Sequence, residues 1–411
     1  MGLCAGPCPP FEPDGGRAPV WWAGRGAGHV NFFEPNEEQR ALCESVRQFG
    51  RTLNEGLAQR DAEGRFDREA WRRCAEFGIP GLPLPREYGG SGADLMTTLL
   101  AMMALGHGCR DNGLVFSLNA QMWAFQLPVL KFGTEAQRQR YLPPLASGER
   151  IGAHAVTEPS HGSDAMGMRT RARREGDCYV LDGTKTFITN GPVADVLLVF
   201  ATVNPALKSL GVTGFLVDRE TPGLTLSRPI PKMGIRTSPM GEVVLEGCRV
   251  PVSARLGPEG AGGSIFNAAM AWERTCIFAA HLGAMERLLD DCVAYAKGRE
   301  QFGQPISRHP EIADKLVDMK VALEAGRLLL YRAAAARDAG KDAILEAAMA
   351  KLFVSEAHVR QALAAIQLHG GYGFTTEYGV ERELRDAVPG TLYSGTSEMQ
   401  RKIIARLMGL S

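Results

Sequence analysis

Three stretches of the chain combine residue types that can do chemistry. The first is 271–283, where Glu273 stands between Trp272 and a run of Ile, Phe and Ala inside an apolar helical pattern. A carboxylate placed there is desolvated unless it is paired or functional. Burial raises its pKa toward the range of a general base that takes a proton at neutral pH. The competing reading is a structural ion pair with Arg274 or with another residue of the same helical bundle. The second stretch is 155–164, with Val156, Thr157, Gly162 and Ser163. Its hydroxyls and backbone N–H groups suit an anion and a polar ring edge, although such a loop standing alone is more often a solvated turn. The third is Ser394-Gly395-Thr396, in a loop just before the last helical segment.

The elements that must carry these residues fall into three blocks. From residue 37 to about 150 the apolar spacing is helical, with segments at 37–53, 67–77, 94–105 and 114–132, and a short helix opened by Thr134. Between about 151 and 255 the pattern alternates. Strands are expected at 178–189, 196–202, 212–218, 224–228 and 242–245, with Asp182-Gly183 as a hairpin turn. The lack of intervening helices favours an antiparallel sheet. Long helices then return at 265–299, 312–339 and 343–368, stopped by Gly340 and Gly370-Gly371, with a fourth at 397–407. They read as an antiparallel four-helix bundle. The expected fold is mostly α with a central antiparallel β domain, divided as an extension 1–33, a helical domain 34–150, a β domain 151–262 and a helical bundle domain 263–411.

The 411 residues are 45% hydrophobic, enough for large cores. Lys+Arg and Asp+Glu number 46 each, so nothing points to nucleic acid or an anionic membrane as a partner. No apolar run reaches the ~20 residues needed to span a bilayer. The nine cysteines are scattered without metal-ligand spacing, as expected of reduced thiols in a cytoplasmic protein. Residues 1–33 are rich in Gly, Pro and Arg and carry neither a secretory signal nor a good transit peptide. They read as a disordered or loosely docked extension.

The three stretches, with three more, resemble the acyl-CoA dehydrogenase family over about 34–411. Residues 155–164 resemble its first signature, and Phe187-Ile188-Thr189-Asn190-Gly191 the strand that lays a ring and a hydroxyl against the flavin. Arg299-Glu300-Gln301-Phe302-Gly303-Gln304-Pro305-Ile306 resembles its second signature, and Gln367-Leu368-His369-Gly370-Gly371 the segment at the adenine end of FAD. Taken singly, Phe187 is more often a core aromatic, and Arg299 a helix-end cation complementing the dipole. The resemblance implies an FAD enzyme. Val156, Thr157, Gly162, Ser163, Phe187, Thr189, Thr396 and Glu398 would hold the cofactor, with Arg299, Gln301, Phe302, Gln367, Gly370 and Gly371 reaching the FAD of a neighbouring subunit. A homotetramer or homodimer follows. No GxGxxG follows a strand, so no Rossmann unit is implied.

In most of that family the position of Ser394 is the glutamate that removes the substrate α-proton. In members similar to isovaleryl-CoA dehydrogenase the base instead precedes an arginine on the first bundle helix, as Glu273-Arg274 does here, and the C-terminal position is not acidic. Glu273 is therefore assigned as the base, with β-hydride passing to the flavin. Ser163, Arg274, Ser394 and Gly395 are assigned to the substrate, and no metal is expected. Trp272-Glu273-Arg274, Phe278-Ala279-Ala280 and the ending Ser394-Gly395-Thr396-Ser397 are similar to dehydrogenases of prolyl or aminoacyl groups on a peptidyl carrier protein in bacterial biosynthetic pathways. The expected substrate is a carrier-bound (amino)acyl thioester on a phosphopantetheine arm, with a short branched acyl-CoA as the alternative. The expected acceptor is an electron-transfer flavoprotein or O₂. A flavin-fold protein that has lost its base, and an oxidase- or hydroxylase-like flavoprotein, are the other classes; flavin reduction by thioesters and its reoxidation by O₂ separate them.

Overall fold

The computed structural model describes residues 34–410; the N-terminal extension expected at 1–33 lies outside the described residues. Asn36 and Gln39 form a reciprocal capping box that starts α1 (Glu37–Arg51). A short helix missed by the periodicity, α2 (Leu57–Glu63), follows, and Asp67 caps α3 (Arg68–Glu76). Next come the almost wholly buried α4 (Leu95–Gly108) and α5 (Asn112–Ala120). A π-helical stretch, Gln121–Gln126, joins α5 to α6 (Leu127–Phe132). The helix expected at 114–132 is thus one rod with a widened middle. A second capping box, Thr134 with Gln137, starts α7 (Glu135–Ala146).

The sheet contains β1 (Gly152–Ala155), β2 (Arg171–Glu175), β3 (Cys178–Thr189), β4 (Val196–Thr202), β5 (Val212–Asp218), β6 (Leu224–Leu226), β7 (Met240–Pro251) and β8 (Arg255–Leu256). Its order is β6-β7-β3-β2-β4-β5-β8, with β1 also on β4. Most pairings are antiparallel, but β1 and β2 each run parallel to β4, so the sheet is mixed where an antiparallel one was expected. Asp182-Gly183 is not a turn. β3 runs straight through it with a register shift between Leu181 and Gly183, and Thr170 occupies the space a Cβ on Gly183 would need. The hairpin turn is Gly176-Asp177, between Glu175 and its partner Cys178, a Gly-Asp pair of the kind two-residue hairpins favour.

β4 is buried on both faces. Val196, Leu198 and Phe200 pack with Phe125, Leu142 and Ile265, while Leu197, Val199 and Ala201 meet Leu181, Val243 and Val250 of β3 and β7. The sheet therefore curls onto itself on one side and leans on helices on the other.

The C-terminal helices are α8 (Gly262–Gly298), α9 (Pro310–Asp338), α10 (Ile344–His369), the single turn α11 (Gly371–Phe374), α12 (Val380–Ala387) and α13 (Ser397–Leu407). A two-residue-strand hairpin, β9 (Glu300–Gln301) with β10 (Gln304–Pro305), links α8 to α9. α8 also crosses α4 at very close range. A Cβ on Gly106 would lie 2.2 Å from the Ala280 carbonyl oxygen, and one on Gly283 2.0 Å from that of Met103. No helix among the described residues is long and apolar enough to cross a membrane.

Candidate active site

Glu273 projects from the middle of α8 and is 8% exposed. Burial pushes its carboxyl above the ordinary range, with the Ser394 hydroxyl and Arg274 pulling the other way. Ser394, 121 residues later, donates its hydroxyl to Glu273 Oε1 at 2.6 Å. Arg274 does not close the ion pair that the sequence left open. Its Nε donates to the Ser394 carbonyl at 3.0 Å. The amide of Gln400 donates to the same carbonyl at 3.3 Å and to that of Gly395 at 2.8 Å. These bonds hold Ser394 in the left-handed region, at φ 56°, which a residue with a Cβ occupies only when its surroundings over-determine it. The N–H of Ser394 has no acceptor among the described residues. Thr396 caps α13 by accepting from the Met399 N–H. Trp272 faces the other way, stacked on Trp123 with Lys131 and Arg337 over its ring.

Below Glu273 the same face of α8 continues through Ile277 and His281, which line a cavity with Phe116, Asn119 and Tyr393. His281 and its neighbour His358 had no role in the sequence reading. The one available signal was the spacing of His281, two turns from Glu273.

The 155–164 loop is organised by a residue that the motif reading did not single out. Glu158 accepts from the N–H groups of Arg169 and Thr170, from the Thr170 hydroxyl and from Lys185 Nζ at 2.9 Å. Lys185 is fully buried and also donates to the Val156 carbonyl. Burial opposes ionisation of Glu158, but Lys185, Thr170 and Arg169 bring its carboxyl down to about 2. Burial likewise lowers Lys185 to about 8 against the pull of Glu158. Glu158→Gln is expected to cost roughly 1–3 kcal/mol in urea unfolding, a limited loss because Lys185 can shed its proton when the carboxylate is gone.

Thus tethered, the loop leaves Gly162 and Ser163 exposed. Nearby in sequence, Phe187 sits at φ 57° where the β3–β7 register shifts, with 59% of its surface uncovered. A large ring in a strained conformation, with Thr189 two residues on, fits a flat, polar-edged ligand better than a core. The second set lies at the far end of the bundle. Arg299, Gln301, Gln367, Gly370 and Gly371 are all exposed there, and Phe302 is 94% exposed at φ 52°. Stacking of Tyr295 on His369 at 4.1 Å brings the C-terminal ends of α8 and α10 together beneath them. Among the described residues no hydrogen bond or ion pair joins this set to Thr157 or Phe187. No group of three or more His, Cys, Asp or Glu among the described residues could hold a metal.

Family models for the acyl-CoA dehydrogenase N-terminal, middle and C-terminal domains match residues 36–149, 153–248 and 260–409. The chain belongs to the acyl-CoA dehydrogenase family. It is 44% identical to an L-prolyl-[peptidyl-carrier protein] dehydrogenase of Pseudomonas fluorescens, over 84% of this chain and 91% of that protein. The crystal structure of the prolyl acyl carrier protein oxidase AnaB superposes with a TM-score of 0.91 at 47% identity, over 92% of this chain and all of the other. The human mitochondrial short-chain specific acyl-CoA dehydrogenase is 40% identical over 90% of this chain and 89% of its own. As a member of this family the chain is a flavin oxidoreductase, built from a helical, a β and a second helical region.

Proposed function

We propose that this acyl-CoA dehydrogenase family member oxidises the α,β-bond of a prolyl group held as a thioester on a peptidyl carrier protein, with Glu273 as the α-proton base. The carrying observation is the buried Glu273 carboxyl with Ser394 Oγ 2.6 Å from it. The prolyl and carrier assignments rest on the similar proteins named above. Glu273 takes the α-proton and becomes the neutral acid that its burial favours. The N–H of Ser394 is directed to the thioester oxygen, where negative charge builds as the proton leaves. Arg274 and Gln400 keep that N–H in place through the Ser394 carbonyl.

FAD, when bound, supplies the hydride acceptor. The uncovered ring of Phe187, with Thr189 and the loop of Val156, Thr157, Gly162 and Ser163, suits its isoalloxazine and nearer phosphate, with Thr396 and Glu398 on the C-terminal side. Arg299, Gln301, Phe302, Gln367, Gly370 and Gly371 would serve the FAD of a second subunit, in a homodimer or homotetramer of the cytoplasm. The final acceptor is an electron-transfer flavoprotein or O₂, and the product enters secondary metabolism.

The deciding measurement is stopped-flow bleaching of the FAD-loaded enzyme by prolyl-carrier thioester against a panel of short and branched acyl-CoAs. Prolyl-carrier is expected to bleach at least tenfold faster. The reverse order would establish the acyl-CoA reading that 40% identity to the human short-chain enzyme favours.

Ser394→Ala removes the one hydrogen bond that, among the described residues, favours ionised Glu273 from outside its own helix. Without that bond the burial of the carboxyl is less opposed, so the pKa of the base rises further. The acidic limb of the pH–rate profile moves to higher pH, and the plateau above it is kept. An unshifted limb with a lowered plateau would mean that Ser394 acts elsewhere.

A further inference from the structure

The connection between β4 and β5, Pro205–Gly211, projects from the sheet with residues 204–210 all exposed. Leu207 is 52% and Leu210 72% uncovered, with Lys208 between them at φ 50°. The protrusion has a defined shape. The Asn204 side chain accepts from the Ala206 N–H, and its carbonyl accepts from the Leu207 N–H. The Val203 N–H closes the base on the Gly211 carbonyl at 2.8 Å, where a Cβ on Gly211 would lie 2.0 Å from the Asn204 carbonyl oxygen. A fixed backbone that holds neighbouring leucines in water marks a surface that another molecule covers.

Two more cations lie beside it. Arg169 and Arg171 are exposed and flank Thr170. Glu158 holds Thr170 through its N–H and hydroxyl, and the Thr170 carbonyl accepts from the Thr202 N–H. Arg171 is the β2 partner of Thr202, just before the protrusion begins. Among the described residues no carboxylate forms an ion pair with Arg169, Arg171 or Lys208. Asp182, opposite Arg171 on β3, accepts instead from the Gly247 N–H.

This patch adjoins the candidate site on two sides. The turn Ala165–Gly167, just past Ser163, packs on the protrusion, and so does the start of α8. A Cβ on Gly263 would lie 3.0 Å from the Ser209 carbonyl oxygen. Gly263 precedes Glu273 by ten residues of α8, about 15 Å along the helix axis. An extended phosphopantetheine arm spans that distance. A carrier whose arm reaches Glu273 past Ser163 therefore brings its own surface, and the phosphodiester that joins arm to protein, over Pro205–Gly211. Free CoA would bring phosphates to the cations but no apolar face to the leucines. We infer that Pro205–Gly211, with Arg169 and Arg171, is the docking surface for the carrier protein. The cations meet the arm's phosphodiester and the acidic rim around it, and the leucines meet an apolar face.

This rests on the carrier-bound reading above, and the test separates the two. FAD-loaded enzyme is reduced by a prolyl thioester on the whole carrier protein or on free pantetheine, and the half-saturating concentrations for bleaching are compared. Wild type needs far less of the carrier form, and that advantage shrinks with added salt. The double variant Lys208→Glu, Leu210→Glu raises the half-saturating concentration of the carrier form about tenfold or more. Its limiting rate, its reaction with the pantetheine form and its flavin content stay as in wild type. Arg171→Glu alone raises the same concentration about threefold and weakens the salt dependence. A double variant that handles both forms as wild type does, or that loses both equally, overturns the inference and leaves the carrier reading standing. So does a fall in its subunit number on sedimentation, which would make the protrusion a contact between copies of this chain. A wild-type enzyme that half-saturates alike with both forms overturns both.

Discussion

Glu273→Gln is expected to slow thioester-driven flavin bleaching by about 10³- to 10⁴-fold, the upper range for loss of a general base. The glutamine keeps the side-chain volume and still accepts from the Ser394 hydroxyl, so FAD content and substrate affinity should change little. A residual rate within tenfold of wild type would remove Glu273 from the proton-transfer role. The same substitution has an opposite effect on stability, and the sign is fixed by the direction of the pKa shift. Burial raises the folded pKa of Glu273 above its unfolded value. The folded state thus holds its proton more tightly, and that advantage is complete below the unfolded pKa and is lost as pH rises through the folded one. At pH 8 the wild-type enzyme carries the cost of a buried carboxylate that the glutamine variant does not. Glu273→Gln should therefore unfold at a higher urea concentration than wild type at pH 8 and show no advantage at pH 4. A base that destabilises its own fold is the expected signature of a site selected for reactivity.

Glu273 and Ser394 are visible in the sequence because each offends its local pattern, one as a charge in an apolar helix and one as a hydroxyl in a loop recognisable from its neighbours. The long helices are equally visible, because their apolar spacing repeats over many turns. Local pattern fails where the partner is remote. Glu158 looks like part of a polar ligand loop, yet its carboxylate is spent on Lys185, 27 residues on, and on the backbone that shapes that loop. His281 reads as one more residue of a crowded helix until α10 brings His358 against it. Asp182-Gly183 carries a turn sequence, but the neighbouring strand β7 continues past it and Thr170 fills the space beside the glycine, so tertiary pairing overrides the dipeptide. The parallel pairing of β1 with β4 is set by where the helices deliver the chain, which no strand pattern contains.

The site also depends on a buried pair that does no chemistry. Arg287 of α8 donates to both carboxylate oxygens of Glu383 in α12 at 2.9 Å, and to the carbonyls of Gly106 and Cys109 at the end of α4. Both side chains are nearly inaccessible. The segment after α12 leads directly to Tyr393 and Ser394, so this pair fixes the start of the loop that carries them. Burial opposes ionisation of Glu383, but Arg287, with Arg382 and Asn112, outweighs it and holds the carboxyl below the ordinary range. Its contribution to stability is therefore present above the unfolded carboxylate pKa and lost as pH falls through the lower folded value. Glu383→Leu leaves a guanidinium buried with the Gly106 and Cys109 carbonyls and the Asn112 side-chain oxygen but no counter-charge, and a guanidinium does not escape by losing a proton. The expected cost is roughly 3–5 kcal/mol at neutral pH, measured as a fall in the urea midpoint. The penalty should shrink toward acid pH, where the wild-type carboxylate is itself protonated. Adding Arg287→Met to Glu383→Leu should restore much of the loss, because the penalty comes from the stranded charge rather than from a missing attraction. If the double variant is as unstable as the single one, the guanidinium's bonds to Gly106 and Cys109 are what hold α4 to α8. Flavin bleaching should then fail in the double variant as well, since the loop bearing Ser394 would no longer be placed against Glu273.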